Sequence, residues 1–257
     1  EVRTPMNGVL GSTQLLLDTP LDSNQINYVN TINHSGKTLL EILNNILDYS
    51  KIEADKLNLV LKEFNLEELI NQCAEFFSVI SAHSGVNLYV IIDNDVPHII
   101  RSDPLRIKQV LLNLLSNAFK FTNQGQIVVR IKLANTPSAS LIIEVEDSGN
   151  GMSIEQQDLL FQPFVQLDSS SSREKGGTGL GLAISKKLVS MLGGEIGINS
   201  TLNKGVTFWF TLKLNIVEQG EAPYLKYQAV CVFLDNPYQE SLIKNQLQDW
   251  GTQVISH

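Results

Sequence analysis

Gln109-Val-Leu-Leu-Asn113-Leu-Leu-Ser-Asn117-Ala-Phe-Lys120-Phe-Thr122 is the stretch on which the reading of this chain turns. Its apolar residues recur at helical spacing, and Asn113 and Asn117, at i and i+4, share a face. Two carboxamide oxygens on one face can hold a single hard cation. Mg²⁺ in particular takes few protein ligands when phosphates and water supply the rest. Lys120 lies one turn beyond Asn117, near enough to that face to contact phosphate. An asparagine pair in an apolar helix is most often a cap or a polar accident of the core. Here two glycine clusters follow, Asp147-Ser-Gly149-Asn-Gly151 and Gly176-Gly177-Thr178-Gly179-Leu180-Gly181, and the three together describe a nucleotide pocket.

In the second cluster Gly177, Gly179 and Gly181 alternate. Leu180, Leu182, Ala183, Ile184, Leu188, Val189 and Leu192 then read as an amphipathic helix. A glycine-rich loop opening a helix offers backbone N–H groups and a positive dipole end to phosphate. The spacing fits neither the P-loop nor the dinucleotide fingerprint. The first cluster follows a strand, Leu141-Ile-Ile-Glu-Val-Glu-Asp147, with β-branched and acidic residues in alternation. Asp147 at its end can accept a hydrogen bond from an exocyclic amine such as adenine N6. Gly149 and Gly151 let backbone lie against a flat base. Taken alone, either cluster would be a turn.

In this order the three blocks resemble the N, G1 and G2 boxes of sensor histidine kinases, relatives of the gyrase, Hsp90 and MutL ATPases. Leu160-Phe-Gln-Pro-Phe164-Val-Gln-Leu-Asp168 is similar to the family's F box, and Gly205-Val-Thr207-Phe208 to its final glycine box. Glu1-Val-Arg-Thr4-Pro-Met-Asn-Gly8 resembles the H box, whose phosphoacceptor histidine is expected immediately before Glu1; the sequence given would then lack its own acceptor. The resemblance covers residues 1–214. It implies ATP with Mg²⁺ as cofactors, Asn113 and Asn117 as metal ligands, and Lys120 with the Gly177–Gly181 loop on the phosphates. Asp147, Gly149 and Gly151 would meet the adenine, with Phe164, Thr178, Leu180 and Thr207 also in the binding set. Glu1 matches the acidic residue that takes the acceptor's proton, and Thr4 the position that orients water when a response regulator is dephosphorylated. Hydrolytic relatives carry a glutamate where this chain has Asn113, and an amide cannot activate water as a base. A pocket so equipped suits transfer to another nucleophile better than hydrolysis. His34, His83, His98 and His257, the chain's four histidines, stand in no such motif.

Composition agrees with a globular protein: 257 residues, 43% hydrophobic, 18% charged and a net charge of −8. That charge argues against nucleic acid or an anionic membrane as the main partner. Cys73 and Cys231 are too few for a disulfide framework and fit a reducing compartment. Residues 1–57 read as an all-α dimerisation hairpin, broken at Thr19-Pro20-Leu21-Asp22, with Asp22 or Ser23 as the next cap. Ile32, Gly36, Leu39, Leu43, Ile46 and Ser50 fall in 4-3 steps. Such a seam is buried by pairing two copies into a four-helix bundle. Residues 58–214 are expected to form an α/β sandwich, with a helix from Phe64 to Ala82, another from Pro104 to Phe121, and a mostly antiparallel sheet. The stretch between Met152 and Gly176 reads as an ATP lid and residues 215–227 as a linker. Residues 228–257 open with a strand, Ala229–Leu234. A helix with Leu242, Ile243 and Leu247 inward follows, and then a second strand. That is the start of an α/β receiver-like module, with Asp235 as its one acidic residue after the first strand. The expected protein is a multidomain hybrid kinase core that passes the γ-phosphoryl group of ATP to histidine and on to a response regulator or attached receiver. It would be the cytoplasmic portion of a membrane-anchored sensor. A non-catalytic ATP-sensing dimer scaffold and an ATPase stand as alternatives.

Overall fold

The computed structural model describes residues 2–134, 140–166, 178–214, 216–218, 229–231, 236–249 and 252–255. They fall into two compact units, Glu1–Asn58 with Gln162–Ile184, and Leu59–Phe161 with Ser185–His257.

The first unit is built on two helices, α1 (Arg3–Leu17) and α2 (Ser23–Glu53). Asp22 starts α2 through a capping box. Its carboxylate accepts from the Gln25 N–H at 2.9 Å, and the Gln25 side chain accepts from the Asp22 N–H at 3.0 Å. Contacts of Arg3 with Asn44, Leu10 with Gly36, and Thr13 with Asn33 show that the pair runs antiparallel. Gly36 is buried because Leu10 fills the space a side chain would take, with Leu10 Cδ2 only 2.9 Å from where a Cβ would stand. Beside it the buried Thr13 hydroxyl donates to the Leu10 carbonyl at 2.8 Å and accepts from Asn33 Nδ2 at 3.0 Å. The apolar seam divides: Gly36 faces α1, whereas Ile32, Leu39 and Ile46 remain 47%, 47% and 44% exposed.

The second unit is a five-stranded sheet in the order β2-β4-β5-β7-β6. Its strands are β2 (Val86–Ile92), β4 (Gly125–Leu133), β5 (Ser140–Asp147), β6 (Ile196–Ser200) and β7 (Val206–Lys213). β2 and β4 run parallel and the other neighbours antiparallel. Alternation sorts the faces. Ile127, Val129, Ile131, Leu141, Ile143, Val145, Phe208 and Phe210 are buried on one side. The other side carries Arg130, Trp209 and a Lys132–Glu144 ion pair at 2.8 Å. Helices α3 (Leu66–Ser84) and α4 (Pro104–Phe121) cover the apolar side, joined by Phe77 stacked on Phe119 at 5.1 Å. Asp103 starts α4 by accepting from the Leu105 and Arg106 N–H groups at 3.1 and 3.2 Å, while its second oxygen accepts from the Val60 N–H at 2.8 Å.

Several boundaries differ from expectation. Phe64 and Asn65 belong to a strand, β1 (Lys62–Asn65), because Asn65 caps α3 by accepting from the Glu68 N–H at 3.1 Å. β1 pairs with β3 (Ile99–Ser102), which pairs with β8 (Ile216–Glu218), so the stretch read as a linker contributes a strand. The stretch read as a lid contains α5 (Ile154–Leu159), capped by Ser153; residues 167–177 lie outside the described residues. After α6 (Gly181–Met191) and the sheet, β9 (Ala229–Cys231), α7 (Pro237–Asp249) and β10 (Gln253–Ile255) form a parallel β-α-β unit. Ile243, expected inward, is 38% exposed, and Asp235 lies outside the described residues. Tyr238 of α7 sets its ring 5.8 Å from that of Tyr89 on β2. No helix among the described residues is long and apolar enough to cross a membrane.

Candidate functional site

Asp147 continues the buried row of β5, after Leu141, Ile143 and Val145, and is itself 4% exposed. A charge in that position must be met by donors. The Gly149 N–H donates to its Oδ1 at 2.9 Å, and the Val206 backbone supplies another bond across the strand pair. Burial pushes the Asp147 carboxyl above its usual range. These two backbone bonds and the neighbouring Thr122 side chain oppose that push, and Glu146 adds slightly to it. The buried Thr122 hydroxyl falls short of strict hydrogen-bond geometry, so it acts on Asp147 as a nearby dipole. A carboxylate held this way can take one further donor, such as an exocyclic amine.

Backbone closes tightly around this end of β5. A Cβ at Gly149 would stand 2.8 Å from both Asp147 Oδ1 and the Phe121 carbonyl oxygen, so the end of α4 lies directly over the loop. Gly151 (φ +67°) and Gly205 (φ +94°) both occupy left-handed conformations, and a Cβ would overlap the Thr201 and Asp147 carbonyl oxygens respectively. The loop after β5 is fastened to the turn before β7: the Asn203 N–H donates to the Asn150 carbonyl at 2.6 Å, and the Met152 N–H to Ser200 Oγ at 2.8 Å. Gly205→Ala is therefore expected to destabilise the second unit by about 3 kcal/mol, through positive φ and overlap together. Chemical denaturation would measure this, and a loss under ~1 kcal/mol would contradict the stated contact.

On α4, Asn113 and Asn117 are half-buried. Asn113 Nδ2 donates to Ser185 Oγ at 3.0 Å, and Ser185 is 2% exposed. The Lys120 ammonium lies 4.9 Å from the centre of the Phe121 ring. Two amide oxygens suit a hard cation, yet they carry no charge. Among the described residues no group of three or more His, Cys, Asp or Glu could hold a metal. A cation at this helix therefore needs oxygens brought by its ligand, which is how Mg²⁺ arrives with a polyphosphate. The residues fit that ion. Thr207 does not join them. It pairs with Glu146 on β5, one step out of phase with Asp147 and Val206, so its side chain faces the opposite side of the sheet.

In the first unit, Phe164 and Gly179 are brought together from separate motifs: the Phe164 N–H donates to the Gly179 carbonyl at 2.9 Å. Both have positive φ, +66° and +67°. The exposed Phe164 ring stands edge-on to Tyr49 with centroids 6.4 Å apart. Thr178 Oγ1 accepts from the Leu180 N–H at 3.1 Å, so this amide, expected among the phosphate donors, is already bonded. Gly181 opens α6, and Gly177 lies outside the described residues.

The comparisons with known proteins agree with this layout. Residues 1–55 match the His Kinase A (phospho-acceptor) domain, and residues 102–216 match the histidine kinase-, DNA gyrase B- and HSP90-like ATPase family. The catalytic domain of the histidine kinase ThkA is 30% identical to this chain with a TM-score of 0.51, over 60% of this chain and 97% of that one. The chain belongs to the histidine kinase family. Full-length ShkA, a structure in complex with AMPPNP, matches with a TM-score of 0.81 and 30% identity, over 100% of this chain and 53% of that one. The sensor histidine kinase GacS of Pseudomonas protegens is 42% identical over 260 residues, covering 99% of this chain and 28% of GacS. The chain spans less than a third of the length of the curated relatives it matches.

In this histidine kinase Thr4 is exposed on the first turn of α1, and Glu1 lies outside the described residues. His34 and His83 are exposed, His98 is half-buried, and His257 is not among the described residues. Cys73 is fully buried, and burial pushes its thiol up to about 11 against the opposing charge of Lys108, so it stays protonated and unreactive. Sequence reasoning missed Ser185. The one available signal was a serine in the otherwise apolar run Leu182-Ala-Ile-Ser185 of an amphipathic helix.

Proposed function

We propose that this chain is the phosphotransfer core of a histidine kinase, in which the second unit binds Mg-ATP and the γ-phosphoryl group passes to a histidine. The observation that carries this reading is Asp147, a buried carboxylate braced by backbone N–H groups at the foot of α4, the helix that bears Asn113 and Asn117. Asp147 would accept from the adenine amine, with the backbone of Gly149 and Gly151 lying against the ring. Asn113 and Asn117 would hold Mg²⁺, which neutralises charge on the phosphate oxygens. Lys120 and the Gly177–Gly181 loop would contact phosphate, and Phe164 would belong to the binding set. The acceptor imidazole nitrogen would form its bond to the γ-phosphorus as the bond to the β-phosphate oxygen breaks. ADP leaves, and Glu1 takes the proton released from the ring. Asn113 offers no base for water, which favours this transfer over hydrolysis.

The exposed Ile32–Leu39–Ile46 stripe supports a homodimer through the helical hairpin. The β9-α7-β10 unit supports the opening of a receiver-like module, and a response regulator or attached receiver would take the phosphoryl group onward, with Thr4 serving the reverse reaction. We read the chain as the cytoplasmic portion of a membrane-anchored sensor.

With a histidine placed immediately before Glu1, the chain should acquire acid-labile phosphate from γ-labelled ATP. Glu1→Gln in that protein should slow labelling by about 10²-fold or more while ATP affinity stays within twofold, since a general base acts on transfer and not on binding. ATP binding without any labelling would identify a nucleotide-sensing scaffold, and multiple-turnover phosphate release would identify an ATPase.

A further inference from the structure

We propose that Ser185 is a positioning residue, which accepts from the Asn113 amide nitrogen and so supports the orientation that leaves the amide oxygen for the cation. The inference rests on the reading of Asn113 as a Mg²⁺ ligand and adds what that ligand requires. A carboxamide is nearly symmetric in shape and opposite in charge at its two ends. Oδ1 accepts and Nδ2 donates, and a half turn of the group would set a donor against the metal. On an exposed helix water satisfies either end. Asn113 is half-buried, and the group next to its nitrogen is a serine hydroxyl 2% exposed.

The Nδ2-to-Oγ bond of 3.0 Å occupies the nitrogen, and among the described residues Oδ1 has no hydrogen-bond partner. Ser185 thus provides the acceptor without which a cation-facing Asn113 would leave its part-buried NH₂ without a protein partner, a state that costs binding free energy. Asn117 has no such partner among the described residues, so the support is specific to the first of the two asparagines. Ser185 also lies one turn into α6, the helix that the glycine cluster opens. The residue that supports the metal ligand therefore shares a helix with Gly181, one of the expected phosphate-binding glycines.

Calorimetry with ATP, in Mg²⁺ and again in EDTA, tests this on the intact chain. Ser185→Ala should weaken Mg-ATP about tenfold, in the range set by loss of an outer-shell partner, and leave metal-free ATP affinity within twofold. The decisive variant is Asn113→Asp, whose two carboxylate oxygens are equivalent and need no orienting. Adding Ser185→Ala to it should change Mg-ATP affinity by less than twofold. Equal loss with and without Mg²⁺, or the same tenfold loss in the Asn113→Asp background, would show that Ser185 merely packs, and the proposal would fall. Should Asn113→Ala lose Mg²⁺-dependent affinity while Ser185→Ala does not, the positioning role alone is wrong. Should neither change it, Asn113 is not a ligand and the underlying site assignment fails with it.

Discussion

An Asp147→Asn variant is expected to bind ATP about a hundredfold more weakly than the parent while melting no earlier than it at neutral pH. The first effect follows from hydrogen-bond polarity. The amide keeps one accepting oxygen, which the Gly149 N–H already uses at 2.9 Å, and turns its NH₂ toward the adenine amine. Losing a bond to a charged acceptor and leaving two donors facing each other is worth about 3 kcal/mol, or two orders of magnitude. The second effect follows from burial, which raises the Asp147 carboxyl above its ordinary value. A group held more protonated in the folded chain contributes stability below its unfolded pKa, and that contribution is lost as pH rises through the folded value. At neutral pH the parent therefore carries a buried charge that the amide removes. Melting curves should show the variant's advantage at neutral pH disappearing in acid, below the ordinary carboxylate range. Tight ATP binding by the variant would displace Asp147 from the site. A variant that is destabilised at neutral pH would mean the backbone bonds outweigh desolvation.

Leu39→Asp should convert a dimer into a monomer. Ile32, Leu39 and Ile46 are seven residues apart, lie on one line of α2 and are left nearly half exposed by the hairpin. An unpaired carboxylate at the middle of that line, once covered by a second copy, costs several kcal/mol, which raises the dimer dissociation constant by about 10³-fold. Because Leu39 is not part of the protomer's own core, helix content by circular dichroism should stay unchanged. Sedimentation at matched concentrations measures the association. A parent that stays monomeric at high micromolar concentration, or a variant that dimerises equally well, would remove the four-helix bundle from the account.

Local chemistry made much of this protein legible before its coordinates. The helix Pro104–Phe121 was legible because its apolar residues recur at helical spacing among near neighbours in the chain. Asp147 was legible for the same reason, being polar at the end of an otherwise alternating strand. What escaped was set by distant partners. Ile99–Ser102 pairs with Lys62–Asn65 on one side and with Ile216–Glu218, more than a hundred residues away, on the other, and none of the three has a repeating pattern long enough to declare itself. Phe64 fits the period of the following helix, yet Asn65 ends that helix by capping it, so the boundary moved inward. Thr207 looked like a site residue because it sits in a glycine motif, but strand phase assigns it to the other face from Asp147. Ser185 was hidden because its significance lies in one hydrogen bond to a residue far away in the chain.

The Thr13–Asn33 bond has a mechanical consequence for the hairpin. Leucine-lined helices can slide past one another by a turn, about 5.4 Å, with one set of apolar contacts replacing another. Here such a slide would take the Asn33 amide away from its acceptor, the buried Thr13 hydroxyl, at about 1–3 kcal/mol for the lost bond, while Thr13 keeps its own bond to the Leu10 carbonyl. Gly36 adds a notch that fits Leu10 at one register. Axial slippage of α1 along α2 is therefore resisted by side-chain chemistry as well as by apolar packing.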